Sequence, residues 1–227
     1  MPADVLLFGA HPDDVEWGVG GIALLLRDHG IQCAIVDMTN GEMGSRGTAA
    51  ERKIEAGSAA RFMGVVAREN LNLPDCGLVD SPENRRLIAG AIRRYRPKIV
   101  IAPLWEDRHP DHAAAGLLVQ NSRLLCGLKT LEDANPPYRP GMFLFYPIHK
   151  FHPPTFVIDT SKVFERKLEL LRIYRSQFAE AAGDFLFRLE SRDRYYGSSI
   201  GAHQGEALVA DQPIRLHNPG DLFSLLP

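Results

Sequence analysis

The chain has little of what would mark an extracellular, membrane-spanning or nucleic-acid-binding protein. Its 227 residues include three cysteines, Cys33, Cys76 and Cys126. They are odd in number, far apart and without a C-x-x-C pair, which argues for reduced thiols and against a disulfide framework or a thiolate zinc site. No apolar run approaches the ~20 residues needed to cross a bilayer. The opening Met1-Pro2-Ala3-Asp4 lacks the basic flank and apolar stretch of a secretory signal. A cytoplasmic location with no membrane partner is therefore expected. Positive charge is not in excess either: 26 Lys and Arg against 28 Asp and Glu leave a formal −2. A polyanion binder normally carries the opposite balance, so no nucleic-acid partner is expected. Lysine is scarce, supplying six of the 26 basic residues, with arginine the other 20. The forked guanidinium suits bidentate contact with carboxylate or phosphate, which fits an anionic small substrate, although codon bias and surface ion pairs account for most of these arginines.

What is present is ordinary globular composition, 45% hydrophobic and 24% charged, enough for one sizeable core. Val5-Leu6-Leu7-Phe8 reads as a buried parallel strand. A glycine-containing turn follows, then a helix over Ile22–Leu26 ending near Gly30, and a second strand from Cys33 to Met38. Thr48-Ala49-Ala50-Glu51 is a capping box that starts a helix toward Gly64. Ser81-Pro82-Glu83 caps a helix carrying Ile88, Ala91, Ile92 and Tyr95. Ile99–Ala102 is another buried strand, and a helix from about Asp111 to Leu125 follows it. Met142–Tyr146 is a strand inside a proline-rich crossover, Phe156–Asp159 a late strand, and Ser161 caps a helix with Phe164, Leu168, Leu171 and Phe178 on its apolar side. This alternation predicts an α/β, Rossmann-like three-layer fold with a mostly parallel sheet, in one domain over residues 1–227. In such sheets ligands bind beyond the carboxyl ends of the strands.

Two segments sit at those ends. After the first strand comes Ala10-His11-Pro12-Asp13-Asp14-Val15-Glu16; after the Ile99–Ala102 strand comes Glu106-Asp107-Arg108-His109-Pro110-Asp111-His112. The glycines at 18, 20 and 21 do not form G-x-G-x-x-G, and three carboxylates occupy the place where a pyrophosphate would want positive potential. A cation is the better guest. His11 and Asp14 can ligate together across the proline turn, with His112 from the neighbouring strand end completing three protein ligands and leaving a position for water. Asp13 is then left beside the ion, placed to take a proton from water. His109 can protonate a leaving amine or hold an oxyanion. Such parts suit hydrolysis of an amide or ester. One H-P-D-D alone is usually an ordinary turn; the pair of tetrads after two buried strands carries the argument. His29, His149, His152, His203 and His217 lack comparable context, with His149 and His152 in the proline-rich loop near the site.

With these motifs the sequence resembles the LmbE-like (PIG-L) superfamily of zinc-dependent N-acetylglucosamine deacetylases, whose signatures are A-H-P-D-D and H-P-D-H. Thr39–Gly47, Arg52 with Glu55-Ala56, Asn70–Asp75, Glu106-Asp107-Arg108, Tyr174–Gln177 and Arg194-Tyr195-Tyr196-Gly197 are similar to the branch that deacetylates N-acetylglucosaminyl L-malate in bacillithiol biosynthesis. The resemblance implies an LmbE-like deacetylase fold and zinc held by His11, Asp14 and His112. It also implies Asp13 as general base and His109 as oxyanion and amine partner. Asp111 would orient His109 or His112, and Arg52 and Arg108 would meet the substrate's acidic aglycone. A homo-oligomer, for which a hexamer is one arrangement, is also implied. The sequence departs from the family where relatives place a tyrosine, reading Gly201–Glu206 instead, so His203 and Gln204 stay outside the catalytic set. Other readings are deacetylation of another N-acetylglucosamine conjugate or a chito-oligosaccharide, a nucleotide-binding α/β module holding magnesium, and a non-catalytic metal-binding protein.

Overall fold

A computed structural model describes residues 2–178, 182–214 and 218. Five parallel strands lie side by side: β1 (Val5–Gly9), β2 (Cys33–Thr39), β3 (Ala67–Leu73), β4 (Ile99–Pro103) and β5 (Met142–Tyr146). Two more, β6 (Phe156–Asp159) and β7 (Gly205–Ala210), complete a sheet of order β3-β2-β1-β4-β5-β7-β6, with β7 antiparallel to both neighbours. The fold is the three-layer, mostly parallel α/β arrangement that the alternating pattern implies.

Strand alternation builds the two cores. In β1, Leu6 and Phe8 face a layer that includes Ile88 and Ile92 of α3 (Pro82–Tyr95) and Leu118 of α4 (Pro110–Cys126). Val5 and Leu7 face the opposite layer, with Ile22 of α1 (Asp14–Asp28), Ala59 of α2 (Ala49–Met63) and Leu170 of α5 (Phe164–Leu171). Two of the three caps read from sequence are in place; Ser161 is not one, lying inside a 3-10 turn with its hydroxyl accepting the Gln204 N–H. Thr48 and Glu51 form the reciprocal box on α2, and Ser81 Oγ accepts the Asn84 N–H at α3. Among the described residues no helix is long and apolar enough to cross a membrane.

Three features differ from the sequence reading. α1 begins at Asp14, well before Ile22, and is broken at Val19 into two helical pieces. The orphan N–H groups of the second piece are capped from a distance: Glu206 of β7 accepts from Gly21 and Ile22 at 2.8 and 2.7 Å. A Cβ at Gly18 would run into the Tyr146 ring, and one at Gly21 into Glu206 and Thr160, so these glycines let the sheet approach the helix. The expected long helix after Ser161 is instead a 3-10 turn (Ser161–Val163), α5 and a short α6 (Arg175–Phe178), ahead of α7 (Ala182–Ser198). The sequence pattern does not predict strands β3 and β7, because each carries charge into the interior.

Candidate active site

The strand order reverses between β1 and β4, and the two tetrads leave the carboxyl ends of these two strands. The loop after β1 is pinned from β2, where the backbone N–H and the hydroxyl of Thr39 both donate to the Ala10 carbonyl, each at 2.9 Å. The His11 backbone N–H donates to Asp14 Oδ2 at 2.8 Å, which closes the turn. Asp13, between them, has φ 121°, a conformation costly for a residue with a side chain, on the order of 1–3 kcal/mol.

This folding brings His11, Asp14 and His112 together. His11 Nδ1 lies 3.5 Å from Asp14 Oδ2, and His112 Nε2 lies 3.2 Å from Asp14 Oδ1. All three residues are buried, and their ligand atoms lie within 4.8 Å of one another. The far nitrogen of each ring is held by carboxylates: His11 Nε2 by Asp75 at 3.1 Å and Asp111 at 3.3 Å, His112 Nδ1 by Asp107 at 3.2 Å. A proton fixed on each far nitrogen leaves the near one a lone pair directed at Asp14, the arrangement that carboxylates behind metal-binding histidines impose. Without a cation the same cluster must balance itself with protons. Burial opposes it, yet the hydrogen bond and charge of Asp14 raise His11 to about 9; against the same penalty, Asp14 and Asp107 raise His112 to about 10. Burial also works against the Asp14 carboxylate, but His112 and His11 hold it well below its ordinary range. A divalent cation could stand where those two extra protons do, so the donor set fits one.

Asp13 is the carboxylate left over. Burial pushes its pKa up to about 7, against the opposing pull of Arg52. The Arg52 guanidinium lies 3.0 Å from Asp13 Oδ2 and also donates to the Gly41 and Pro12 carbonyls. Gly41 has φ +65°, and a Cβ there would collide with that guanidinium. The structure thus commits Arg52 to Asp13 and the backbone, where the sequence reading had it meeting a substrate carboxylate. Arg108 is exposed on the β4 loop and makes no hydrogen bond or ion pair among the described residues.

His109 is the N-cap of α4. Its Nδ1 accepts the Asp111 backbone N–H at 3.2 Å, which places the ring proton of the neutral form on Nε2. Burial and the neighbouring His112 and His11 lower its pKa, favouring that neutral form. Its ring stacks on His112 at 4.6 Å. The Asp111 side chain departs from expectation: it orients neither His109 nor His112. It accepts from the Cys76 and Leu78 backbone N–H groups at 2.7 and 3.3 Å and reaches His11, because the turn after β3 supplies donors on that side.

Sequence reasoning missed Asp75 and Asp107 as partners of the two histidines. Asp107 accepts the His109 and His149 backbone N–H groups at 2.8 and 2.9 Å besides contacting His112. Burial notwithstanding, these donors lower it to about 2. The signal for Asp107 was its place two residues before His109, an Asx-turn spacing; Asp75 arrives from a distant strand and had none. His149 keeps an exposed face, its ring 5.2 Å from that of His112, and partial desolvation together with the His112 charge lowers it to about 4. His152 belongs to a different contact, its N–H donating to the Tyr196 hydroxyl at 3.1 Å. Gln204 packs by its backbone against Gly197 and Ser161, His29 and His203 are exposed, and His217 lies outside the described residues.

Comparison with known proteins places this geometry in a family. The profile described as PIG-L, GlcNAc-PI de-N-acetylase, matches residues 6–122, the stretch from β1 into α4 that carries both tetrads. The chain belongs to this deacetylase family. Among individual proteins, it is 31% identical over 229 residues to the diacetylchitobiose deacetylase of Thermococcus kodakarensis, an alignment covering 94% of this chain and 85% of the relative. It is 27% identical to a probable N-acetyl-alpha-D-glucosaminyl L-malate deacetylase 2 of Bacillus cereus, covering 85% and 92%. The crystal structure of the conserved protein TT1542 from Thermus thermophilus superposes with a TM-score of 0.89 at 38% identity, covering 96% of this chain and 98% of that one.

Proposed function

We propose that this protein is a zinc-dependent hydrolase that removes the acetyl group from an N-acetylglucosamine conjugate. The observation that carries the reading is the convergence of His11, Asp14 and His112 on one point, with the carboxylate of Asp13 adjacent and not among the three. These three residues would hold the ion, and zinc suits two imidazoles and a carboxylate. When bound there, the ion supplies Lewis acidity toward water and toward a carbonyl oxygen.

The chain's own groups do the rest. Asp13, with its pKa raised to about 7 by burial, is poised to accept a proton at neutral pH as a water oxygen bonds to the acetyl carbon. Arg52 fixes that carboxylate in place and keeps it from rising further. His109 offers its Nε2–H to the oxygen that gains charge, since its Nδ1 is occupied by the helix backbone. When the C–N bond breaks, Asp13 returns the proton it accepted to the amine nitrogen, giving acetate and a glucosamine. Asp75, Asp111 and Asp107 orient the two histidines.

For the aglycone, the engagement of Arg52 favours a neutral sugar, as in diacetylchitobiose, over a dicarboxylate needing two forked partners. Exposed Arg108 supports the malate glycoside of the bacillithiol branch as the second reading. The test is acetate release by metal-loaded protein from N,N'-diacetylchitobiose and from N-acetylglucosaminyl L-malate, with a chelator control. Chelator-sensitive release, faster from the chitobiose, supports the reading. No release from either by fully metal-loaded protein would overturn it.

A further inference from the structure

Helix α1 is two pieces, and each is held by a buried carboxylate. The second piece takes Glu206 at its first N–H groups. The first, from Asp14 to the break at Val19, is little more than one turn. A lone turn fixes many dihedrals for few hydrogen bonds, so it keeps no direction by itself. It carries Asp14 and also Glu16, which is wholly buried and has no part in the chemistry above. Glu16 Oε1 accepts from the Arg68 guanidinium and from the Tyr174 hydroxyl, the latter at 2.7 Å, while Oε2 is buried without a hydrogen bond among the described residues. Both anchors therefore fall on one oxygen. Arg68 is itself fixed by Asp37 at 2.7 and 2.9 Å and donates to the Ala56 carbonyl at 3.3 Å, so one guanidinium joins α1 to β2, β3 and α2. Asp37 lies two residues before Thr39, which pins the Ala10 carbonyl ahead of the tetrad. Trp17 holds the same turn from the side of α7, its carbonyl accepting from Arg192 at 2.6 Å and its ring 4.7 Å from that of Phe185.

We propose that Glu16 is a positioning residue for the metal site: anchored by Arg68 and Tyr174, it sets the first turn of α1 and with it the direction of the Asp14 carboxylate. Asp14 faces two rings at once, Oδ2 lying 3.5 Å from His11 Nδ1 and Oδ1 3.2 Å from His112 Nε2. A small rotation of the turn moves it off one ring or the other. The histidines have carboxylates behind them from other elements, whereas Asp14 accepts only the His11 N–H of its own loop besides the two rings. Its tie to the sheet comes through Glu16. A carboxylate this deep is costly to bury, and an apolar side chain would fill the same space. What Glu16 adds is a direction, fixed by two donors that arrive from separate elements.

This role presupposes that His11, Asp14 and His112 hold an ion, and it is read by metal affinity, apart from turnover. Metal-free parent, Glu16→Met, Glu16→Gln and Tyr174→Phe are titrated with Zn2+ against a chromogenic chelator, well below their unfolding transitions, and the visible bands of the Co2+-loaded proteins are compared. Glu16→Met removes both anchors and leaves Arg68 paired with Asp37; it should bind zinc ~10- to 100-fold more weakly, with altered cobalt bands. Tyr174→Phe removes one hydroxyl and no charge, and should move both readouts the same way by a smaller factor. Glu16→Gln, whose amide oxygen can accept from both donors, should stay near the parent. Parent-like zinc affinity and cobalt bands in Glu16→Met and Tyr174→Phe, whatever their melting temperatures, overturn the proposal. So does a Glu16→Gln as weak as Glu16→Met, since charge alone would then be acting. If Glu16→Met does not fold, Tyr174→Phe decides. A parent that binds no zinc overturns the reading of the site itself, and this role with it.

Discussion

Two buried charge clusters meet α1, one at its first residue and one at its break, and they are built on opposite principles. At the break, Lys167, wholly buried, meets Asp193 at 2.7 Å and Glu206. Arg192 completes the set against Asp193 at 2.8 Å, and the remaining Glu206 capacity goes to the Gly21 and Ile22 N–H groups. Two cations face two anions, and every carboxylate oxygen has a partner. At the tetrads, Asp13, Asp14, Asp75, Asp107 and Asp111 crowd around three histidines with Arg52 as the permanent cation. Buried charge is therefore not a mark of function by itself. What separates the clusters is balance: one is neutral within itself and tethers a helix, whereas the other is short of positive charge and backed by a strained residue.

Substitutions should split along that line. The largest effect is expected from Asp13→Asn, with turnover falling ~10²- to 10⁴-fold while zinc content and thermal stability hold, since the amide oxygen can still accept from Arg52 and the buried carboxylate charge it replaces is one that burial disfavours. Undiminished acetate release would break the assignment. His11→Ala or Asp14→Ala should instead lose the metal, read directly by metal analysis. Lys167→Met reverses the pattern: leaving two buried carboxylates without their cation should cost about 3–5 kcal/mol in urea unfolding, with turnover per folded molecule unchanged. A smaller effect is expected from Asp107→Asn, which weakens the hold on His112. Zinc affinity should drop ~10- to 100-fold in competition with a chelator, without a matching loss of stability. Smallest is the surface pair at Asp80, where Arg85 bonds both carboxylate oxygens at 2.5 and 2.6 Å and lowers the pKa. A folded pKa below the unfolded one contributes stability above the ordinary carboxylate value near ~4, lost as pH falls through the folded pKa. Asp80→Asn should therefore cost below about 1 kcal/mol at pH 7, and the gap should close in acid.

The same contrast explains what the sequence made legible. Strands β1, β4 and β5 are plain apolar runs, β2 is one apart from Asp37 near its end, and the two tetrads advertise themselves by following β1 and β4 directly. Strand β3 was missed because Arg68 interrupts its pattern; in the folded protein that arginine is neutralised by Asp37 at 2.7 Å and by Glu16. Strand β7 was missed for the same reason, Glu206 being tolerable inside only once Lys167 stands opposite. The early start of α1 was hidden by Gly18, Gly20 and Gly21, which weaken local helix propensity but admit Tyr146 and Glu206. Arg52 illustrates the matching limit within the site. Its residue type suggested an anion partner, and it has one, but the partner is Asp13 of the same chain. A residue's chemistry can be read from sequence; which of several suitable partners it faces depends on contacts made across many residues.

The cap on α4 has a consequence for how this site can change over time. His109 answers two demands at once, closing the first turn of a helix with Nδ1 and presenting a proton with Nε2. Asparagine or serine could keep the helix start but not the proton in the same place; a lysine could carry a proton but would leave the turn open and loosen His112 one turn on. Drift at this position is penalised twice, by two unrelated kinds of failure, so the route away from histidine narrows even where either demand alone would permit it.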